Sequence, residues 1–323
     1  MPIPTIPNLP VPSNPSHSIL DSTKIQCYME CPRLFFYEYV LGWRSNRPNN
    51  HLVFGQALHL ALEHVIINGY NSKSIDEAYQ IFEACYRESF PENTDQFYLP
   101  KTPSRFFQML ILYCHHYQDD LSKYSVYKTE IGGTIPLGDS HQMAFKMDTV
   151  MYEESSGLYC SLEHKSKQGN YIDKSYEIDF KMGIQVGTYT HVLNSLFPPE
   201  NVSGVIINCL CFKKTKQPEF IIKRFPINMS NQMMYIWLET VKTYIDSIYE
   251  DYNKLSITNE STDLMKCFKL NGKSCSNWGR VCQYNDLCTS WANPLRHLHQ
   301  MPISMDVNFW NPLEEDLNEV INF

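Results

Sequence analysis

Two acidic residues and a lysine lie at a spacing that could bind a divalent cation. Asp148 ends the stretch MAFKMD, and Glu163 and Lys165 lie in SLEHKS, which follows a Ser-Ser-Gly turn. Residues i and i+2 of a β-strand point to the same face, so Glu163 and Lys165 would project together. A hairpin between the two stretches would place Asp148 beside Glu163. Two neighbouring carboxylates repel each other, and Mg²⁺ or Mn²⁺ would relieve that repulsion and bring water to a phosphate.

This short pattern also has a simpler interpretation, an exposed hairpin that carries a Glu–Lys pair. Apolar neighbours favour a buried face on these strands instead, and they are Val150, Leu158, Tyr159 and Leu162. Gln185 and Tyr189 follow at positions i and i+4 of the next predicted helix, so both side chains point one way. His59 lies in the predicted helix FGQALHLALEH, where a histidine is either a metal ligand or a residue of the core.

The composition limits the classes of function. The chain has 323 residues, 43% of them hydrophobic, and a net charge of −8. A protein that coats nucleic acid without specificity would be basic, so any contact with nucleic acid must be local. Two lysine-rich stretches could supply that contact or could simply be solvated: Lys165, Lys167, Lys174 and Lys181, then Lys213, Lys214, Lys216, Lys223 and Arg224.

Neither a membrane span nor an export signal is expected. The chain has no run of about 18 apolar residues, and its start lacks the basic-then-apolar order of a signal peptide. Its 11 cysteines are an odd number, which argues against a disulfide framework. We therefore expect a reducing, intracellular compartment such as the cytoplasm.

The elements that would position the acidic pair follow from the spacing of the apolar residues. Helical spacing predicts helices within 21–45, over 52–68, and near 74–90 and 103–124. Alternating patterns then predict three strands of an antiparallel meander in the stretches SVYKTEIGGTIPLG, HQMAFKMDTVMYEE and GLYCSLEHKS. A helix, an apolar strand, its hairpin partner and a long helix over 231–255 follow. We predict one α/β domain with helices added at both ends.

The two ends of the chain differ from this domain in composition. Prolines at positions 2, 4, 7, 10, 12 and 15 predict an extended lead over residues 1–18 that is either disordered or laid along the surface. No linker divides residues 19–292, which we predict to form a single domain. Residues 293–323 form a C-terminal tail with an acidic end, which would bind a partner or remain flexible.

Three cysteines lie close together near the end of the predicted domain. Cys275, Cys282 and Cys288 fall in the polar stretch CSNWGRVCQYNDLC, where hydrophobic burial is a poor explanation. Three thiolates at this spacing suit a soft metal ion or an iron–sulfur cluster. Such a site needs a fourth ligand, for which Cys267 and Cys31 are the candidates. Unrelated free cysteines are the simpler alternative.

The segments GQALH, MD, LEHK and QVGTY, in this order, resemble the PD-(D/E)XK nuclease superfamily, and within it the RecB-like branch. The resemblance covers about residues 20–292. It implies a restriction-endonuclease-like core, in which a mixed central sheet is flanked by helices. Met147 precedes the aspartate, where the name of the superfamily has a proline.

The resemblance also implies roles for individual residues. The metal ligands would be His59, Asp148, Glu163 and the main-chain carbonyl of His164. Lys165 would orient the attacking water, while Gln185 and Tyr189 would support the site and the DNA backbone. The side chain of His164 would point to the other face of the sheet. Glu130 is either a further carboxylate near the site or a solvated strand-end acid. His64, on the same predicted helix as His59, is the alternative candidate for the histidine ligand.

A second part of the resemblance concerns the cysteines. In RecB-like nucleases of the AddB, exonuclease V and CRISPR-adaptation type, one cysteine before the core and three after it bind a [4Fe–4S] cluster. The upstream Cys31-Pro32 followed by aromatic residues matches this arrangement, as do the five residues that separate Cys282 from Cys288. Six residues separate Cys275 from Cys282, whereas many members of the branch have two at this point. Zn²⁺ bound by the same four residues is the alternative.

The resemblance implies a metal-dependent DNA nuclease that takes part in recombination, repair or replication. We expect an exonuclease that acts on single-stranded DNA or duplex ends, in an intracellular compartment that contains DNA. Its partners would be a helicase, a recombinase or a single-strand-binding protein. The alternative is a non-catalytic DNA-binding subunit that the metal cluster holds together.

Overall fold

A computed structural model describes residues 5–214, 219–277, 280–314 and 317–323. In these residues the α-helices are α1 (Ser22–Glu30), α2 (Pro32–Phe35), α3 (Asn50–Asn68), α4 (Ser72–Arg87), α5 (Asp95–Tyr98), α6 (Pro103–His116), α7 (Asp120–Lys123), α8 (Lys174–Lys181), α9 (Ile184–Leu196), α10 (Asn231–Ser256) and α11 (Asn285–Ser290). The β-strands are β1 (Trp43–Ser45), β2 (Tyr124–Pro136), β3 (Gln142–Glu153), β4 (Leu158–Gln168), β5 (Val202–Phe212), β6 (Phe220–Ile227), β7 (Ser276–Asn277), β8 (Arg280–Val281), β9 (Met305–Val307) and β10 (Glu319–Asn322).

Six of the strands form one mixed sheet in the order β10-β2-β3-β4-β5-β6. Strands β2, β3 and β4 form the predicted antiparallel meander, and β6 is the predicted hairpin partner of β5. Strands β4 and β5 are parallel, which requires a crossover, and helices α8 and α9 lie in that connection. This mixed sheet with flanking helices confirms the predicted restriction-endonuclease-like fold class.

Helices pack on both faces of the sheet. One layer consists of α3, α4 and α6, which share an aromatic core of Phe54, Phe82 and Phe106 and meet Phe212 of β5. The other layer consists of α1, α9 and α10, which pack against the opposite face. None of the helices in the described residues is both long and apolar enough to cross a membrane.

Helices α9 and α10 approach each other closely at a glycine. A β-carbon at Gly187 would lie 2.1 Å from Cδ1 of Trp237, which is far inside the contact distance of two carbon atoms. The indole Nε1 of Trp237 donates to the main-chain oxygen of Ile184 over 3.0 Å. Glycine at position 187 therefore allows the contact that fixes α9, the helix that carries Gln185 and Tyr189.

The described part of the proline-rich lead, residues 5–18, is packed against the core, which fits the alternative of a lead laid along the surface. Val11, Ser16 and His17 are buried. The ammonium group of Lys24, itself buried, donates to the main-chain oxygens of Ser16 over 2.6 Å and Ile19 over 2.7 Å. Prolines disfavour a helix or a central strand, but an extended segment that contains them can still lie on the protein surface. Here the ammonium group of Lys24 binds main-chain carbonyl groups at the end of that segment.

The C-terminal tail differs from the prediction, because it contributes to the fold. Strand β9 pairs with β1, and β10 adds a parallel edge strand beside β2. The contact between β10 and β2 requires glycine, since a β-carbon at Gly133 would lie 1.6 Å from the main-chain oxygen of Ile321. The domain therefore extends beyond the boundary predicted at residue 292.

Candidate active site

Strands β3 and β4 place the two predicted acids side by side. Thr149 pairs with Leu162, so the next position brings Asp148 opposite Glu163. The main-chain N–H of His164 donates to Oδ2 of Asp148 over 2.8 Å. Asp148 is 7% exposed and Glu163 is 2% exposed. The hairpin thus forms as predicted and brings two carboxylates together away from water.

Helix α3 brings His59 to the same end of the sheet. Nδ1 of His59 lies 3.1 Å from Oδ1 of Asp148. Burial lowers the pKa of His59, but the charge and hydrogen bond of Asp148 outweigh it and raise that pKa to about 9. Burial alone would raise the pKa of Asp148, yet His59 holds it well below its usual range. The competing histidine, His64, contacts Glu77 instead, with 3.1 Å between Nε2 and Oε2.

Glu130 of β2 joins His59 and Asp148. One ligand atom from each of these three residues lies within 4.8 Å of the other two. The φ angle of Glu130 is +45°, a left-handed conformation that nothing in the sequence signals. Burial and then the charge of Asp148 raise the pKa of Glu130 to about 7, against the effect of Lys146, whose Nζ lies 3.1 Å from Oε2. Of the two interpretations of Glu130, this geometry favours a carboxylate of the site.

Glu163 is held through only one of its two oxygens. Nζ of Lys165 lies 2.5 Å from Oε1, and Nε2 of Gln185 donates to the same atom over 3.1 Å. Oε2 is buried and has no hydrogen-bond partner among the described residues. Burial and then the charge of Asp148 raise the pKa of Glu163 to about 7. A buried acceptor without a partner is costly, which favours a ligand at Oε2.

Gln185 and Tyr189 tie helix α9 to the acidic strands. Nε2 of Gln185 donates to the hydroxyl of Tyr189 over 2.8 Å, and that hydroxyl donates to the main-chain oxygen of Lys146. Lys146 lies two residues before Asp148 on β3. The two predicted residues at i and i+4 therefore contact both Glu163 and the strand of Asp148.

His164 belongs to a buried polar network that the sequence analysis missed. Nδ2 of Asn208 donates to its Nδ1 over 2.7 Å, and Nε of Arg224 donates to Oδ1 of Asn208 over 3.2 Å. Burial lowers the pKa of His164 to about 3, so its ring is neutral. Asn208 lies on β5, directly opposite His164 in the parallel register. An asparagine inside an apolar strand, VSGVIINCLCF, was the available signal.

The acids, the lysine and the helix histidine thus converge at one end of a mixed sheet. A sequence model of the PD-(D/E)XK nuclease superfamily matches residues 22–289. The chain belongs to this superfamily. It is therefore a metal-dependent nuclease, as its sequence led us to expect.

Two solved structures are similar to this nuclease at low sequence identity. A crystal structure of a candidate exonuclease from Eubacterium rectale is 13% identical, with a TM-score of 0.48, and the match covers 74% of this chain and 82% of that chain. The structure of the protein SSO0001 is 14% identical, with a TM-score of 0.25, and covers 64% of this chain and 91% of that chain. Comparison with curated proteins gives no match. The family assignment rests on the superfamily match.

In the nuclease, the four predicted cysteine ligands line one small cavity. Cys31 comes from the junction of α1 and α2, whereas Cys275, Cys282 and Cys288 come from the segment around β7, β8 and α11. The main-chain N–H of Cys282 donates to the oxygen of Cys275 over 2.9 Å. Cys267 is buried and does not line this cavity. Of the two candidates for the fourth position, the structure brings Cys31 to the others.

The four thiols, all of them in described residues, do not include the compact group of three sulfur atoms that one zinc ion would hold. A Zn–S bond of about 2.3 Å places the sulfur atoms of one site about 3.8 Å apart. In the described part of the chain only His59, Glu130 and Asp148 form a group of three ligand atoms within 4.8 Å, so no three of the thiols do.

The second lysine-rich stretch is not one basic surface. Arg224 lies in the interior, where NH1 is 2.5 Å from Oδ2 of Asp120, and Lys223 pairs with Glu177. Neither cation is free for a nucleic-acid strand, which corrects that part of the prediction. Lys216 lies outside the described residues. Asp120 and Glu177, which are distant in sequence, neutralise these two positive charges, and the local sequence pattern does not reveal such partners.

Proposed function

We propose that this nuclease is a DNA exonuclease that hydrolyses phosphodiester bonds in single strands or at duplex ends with Mg²⁺ or Mn²⁺. The observation that carries the proposal is the contact of His59 with Asp148 beside Glu163 and Lys165. An acid pair, a histidine and a lysine at one sheet end supply both the ligands and the charge that phosphodiester hydrolysis needs.

The donor set fits a hard divalent cation. Carboxylate oxygens are the ligands that Mg²⁺ and Mn²⁺ prefer, and the buried Oε2 of Glu163 has no partner among the described residues. The residues that would hold the ion are His59, Asp148, Glu163 and the main-chain carbonyl of His164, with Glu130 as a further candidate. When bound, the cation would act as a Lewis acid on the phosphate and make a water molecule more acidic.

Lys165 would act through its positive charge. Burial lowers its pKa, but the charges of Glu163 and Asp148 raise it above the usual value. Lys165 therefore keeps its proton at neutral pH and does not serve as the base. Its ammonium group would orient the water and stabilise the negative charge that develops on the phosphate, an effect worth about 10²-fold to 10³-fold in rate. Gln185 and Tyr189 would hold Glu163 and β3 in position.

End-labelled DNA strands test the proposal directly. Wild-type protein should shorten linear single strands in Mg²⁺ or Mn²⁺ and leave circular single strands intact. Asp148→Ala should abolish cleavage, whereas the control Asp263→Ala, at a fully exposed side chain, should retain it. Cleavage of circles would show an endonuclease. If the wild type binds DNA but cuts no better than Asp148→Ala, the chain is the non-catalytic subunit.

We further propose that the nuclease belongs to the RecB-like branch and that Cys31, Cys275, Cys282 and Cys288 hold a [4Fe–4S] cluster. The resemblance to that branch and the position of the four cysteines around one cavity support this proposal. The cluster would join the first helices to the end of the domain and close a loop of more than two hundred residues, where a crosslink stabilises most in theory.

Metal analysis distinguishes the cluster from zinc. Protein prepared without oxygen should be brown and contain iron and sulfide. Cys282→Ser should lose the iron, and the control Cys85→Ser, at a cysteine of α4 remote in sequence from the other four, should keep it. A colourless protein that contains zinc would overturn the cluster proposal and leave the nuclease proposal untouched.

We place this activity in DNA recombination, repair or replication, within a reducing compartment that contains DNA. A single-strand exonuclease needs a source of unpaired strand, which a helicase supplies, while a recombinase or single-strand-binding protein would take the product. The check is the rate of degradation of blunt duplex DNA with and without a helicase. A rate that the helicase leaves unchanged would argue against this partnership.

A further inference from the structure

A basic cavity of about 660 Å³ lies where strand β4 ends. Ser166 and Lys167 line it and directly follow Lys165. Because a strand rises about 3.3 Å per residue, the cavity begins within roughly 10 Å of Lys165. Its position therefore suits a part of the substrate that lies close to the reacting phosphate.

Lys101 is a buried cation at the wall of this cavity. It is 3% exposed, and its Nζ donates to Oγ of Ser166 over 2.8 Å and to the main-chain oxygen of Ser166 over 3.1 Å. Burial lowers its pKa to about 8, so it remains charged at neutral pH. No carboxylate among the described residues pairs with it. An ammonium group has three N–H donors, and a buried charge without a counter-ion is costly. An anion in the cavity would supply the missing charge and accept the third hydrogen bond.

Three more cations line the cavity, and they are Lys167, Lys214 and Arg280. Within the described ranges, none of them forms an ion pair with a carboxylate. Their closeness affects His51, whose pKa is lowered by burial and then by the charges of Lys101, Arg280 and Lys214. In a chain with a net charge of −8, this concentration of cations without ion-pair partners indicates an anionic ligand.

Several residues that lie close in sequence to the cavity-lining residues have exposed apolar or aromatic side chains. Phe97 is 75% exposed and lies four residues before Lys101, and Tyr171 is 64% exposed and follows Asn170 of the cavity wall. Leu52, next to His51, is also exposed. Exposed aromatic rings beside a basic groove bind unpaired bases by stacking, while the cations bind the backbone.

We propose that this cavity binds a phosphate group of a single nucleic-acid strand and so positions the strand on Asp148 and Glu163. This inference rests on the proposed function, because it takes a nucleic-acid strand as the substrate. The phosphate is either an internal phosphodiester or the terminal phosphate of the strand, and both present the same anionic oxygens to the four cations.

Binding measured without cleavage tests the inference. The background variant is Asp148→Asn in EDTA, and the probes are labelled single strands of about 16 nucleotides with a 5′-phosphate, a 3′-phosphate or neither. The test variant adds Lys167→Gln, Lys214→Gln and Arg280→Gln. The control variant adds Lys73→Gln, Lys242→Gln and Lys254→Gln, which remove the same charge from helix surfaces elsewhere.

The test variant should bind at least about tenfold more weakly, and the slope of log affinity against log salt should fall by about 0.7, the contribution of one phosphate contact on a single strand. If the affinity for all three probes falls equally, the cavity binds an internal phosphate. If the affinity falls only for the probe with one phosphorylated end, the cavity binds that terminal phosphate. An unchanged affinity and slope, or an equal loss in the control variant, overturns the inference.

Because this assay measures binding in EDTA, its outcome is separate from that of the nuclease proposal. Strand binding that depends on the cavity can hold in a protein that does not cleave. Conversely, cleavage that depends on Asp148 can hold while the cavity proves irrelevant. Lys101→Gln supplies a second variant at the buried position, and circular dichroism must first show that it is folded.

Discussion

Nδ1 of His59 lies 3.1 Å from Oδ1 of Asp148, and the two residues come from a helix and a strand that are far apart in the chain. Each supports the charged state of the other, because the pKa of His59 is raised to about 9 and that of Asp148 is depressed. The same two groups would hold a cation in the proposed mechanism. In the metal-free protein the contact stabilises the fold, whereas in the proposed mechanism the same two residues would bind the cation. Substitutions of His59 and Asp148 distinguish these two roles.

His59→Ala should destabilise the metal-free protein more than Asp148→Asn does. Loss of His59 leaves the Asp148 carboxylate without its cation beside Glu163, at a cost of about 2 kcal/mol in the free energy of unfolding for this partly exposed pair. Asparagine still accepts a hydrogen bond from the N–H of His164 and removes one of the repelling charges. Both variants should lose cleavage. Urea unfolding in EDTA measures the difference, and equal stabilities would contradict it.

Glu163 should make the stability of the metal-free protein fall as pH rises. Its pKa is about 7 in the folded protein against a usual 4.5, so the folded state binds more protons than the unfolded state between these values. Its contribution to stability is fully present below about pH 4.5 and is lost as pH rises through 7.

Glu163→Gln removes this dependence, because the amide stays neutral at every pH. The free energy of unfolding of Glu163→Gln relative to wild type, measured in EDTA from about pH 5 to pH 8, should increase with pH. The matched control is Glu239→Gln, at an exposed acid that pairs with Lys242, and its difference from wild type should stay flat. A flat difference for Glu163→Gln would show that this carboxyl has an ordinary pKa.

Tyr189→Phe should slow cleavage without unfolding the site. The phenylalanine keeps the ring in the core but cannot accept from Gln185 or donate to the main-chain oxygen of Lys146. Groups that orient metal ligands through hydrogen bonds typically change activity or metal affinity by about 10-fold to 100-fold. The measurement is kcat as a function of Mn²⁺ concentration. An unchanged kcat at every concentration would mean that the hydroxyl only supports the fold.

The central acidic pair was predictable because its signals are local. Period-two alternation and a turn predict the hairpin of β3 and β4, and strand geometry then places Glu163 and Lys165 on one face. Gln185 and Tyr189 followed in the same way from helical spacing. In each case the decisive information lies within one or two neighbouring elements.

Contacts between distant segments were not predictable in this way. The left-handed backbone at Glu130, the ion pair of Arg224 with Asp120 and the hydrogen bond of Asn208 to His164 all depend on tertiary packing. The edge strand β10 pairs with β2, which lies far earlier in the sequence. Short polar segments of this kind have no periodicity of their own, so their structure follows from the surface on which they lie.

Two helical glycines should respond to alanine in opposite directions. Gly55→Ala on α3 meets no atom within 4 Å and should stabilise the protein by up to about 1 kcal/mol, since alanine favours helix. Gly187→Ala on α9 places a methyl group 2.1 Å from Cδ1 of Trp237 and should destabilise it by about 1–3 kcal/mol. Because α9 would shift away from the sheet, Gly187→Ala should also reduce cleavage through Gln185 and Tyr189. Thermal unfolding and the strand-cleavage assay measure both effects, and a stabilised Gly187→Ala protein would show that α9 and α10 do not pack as described.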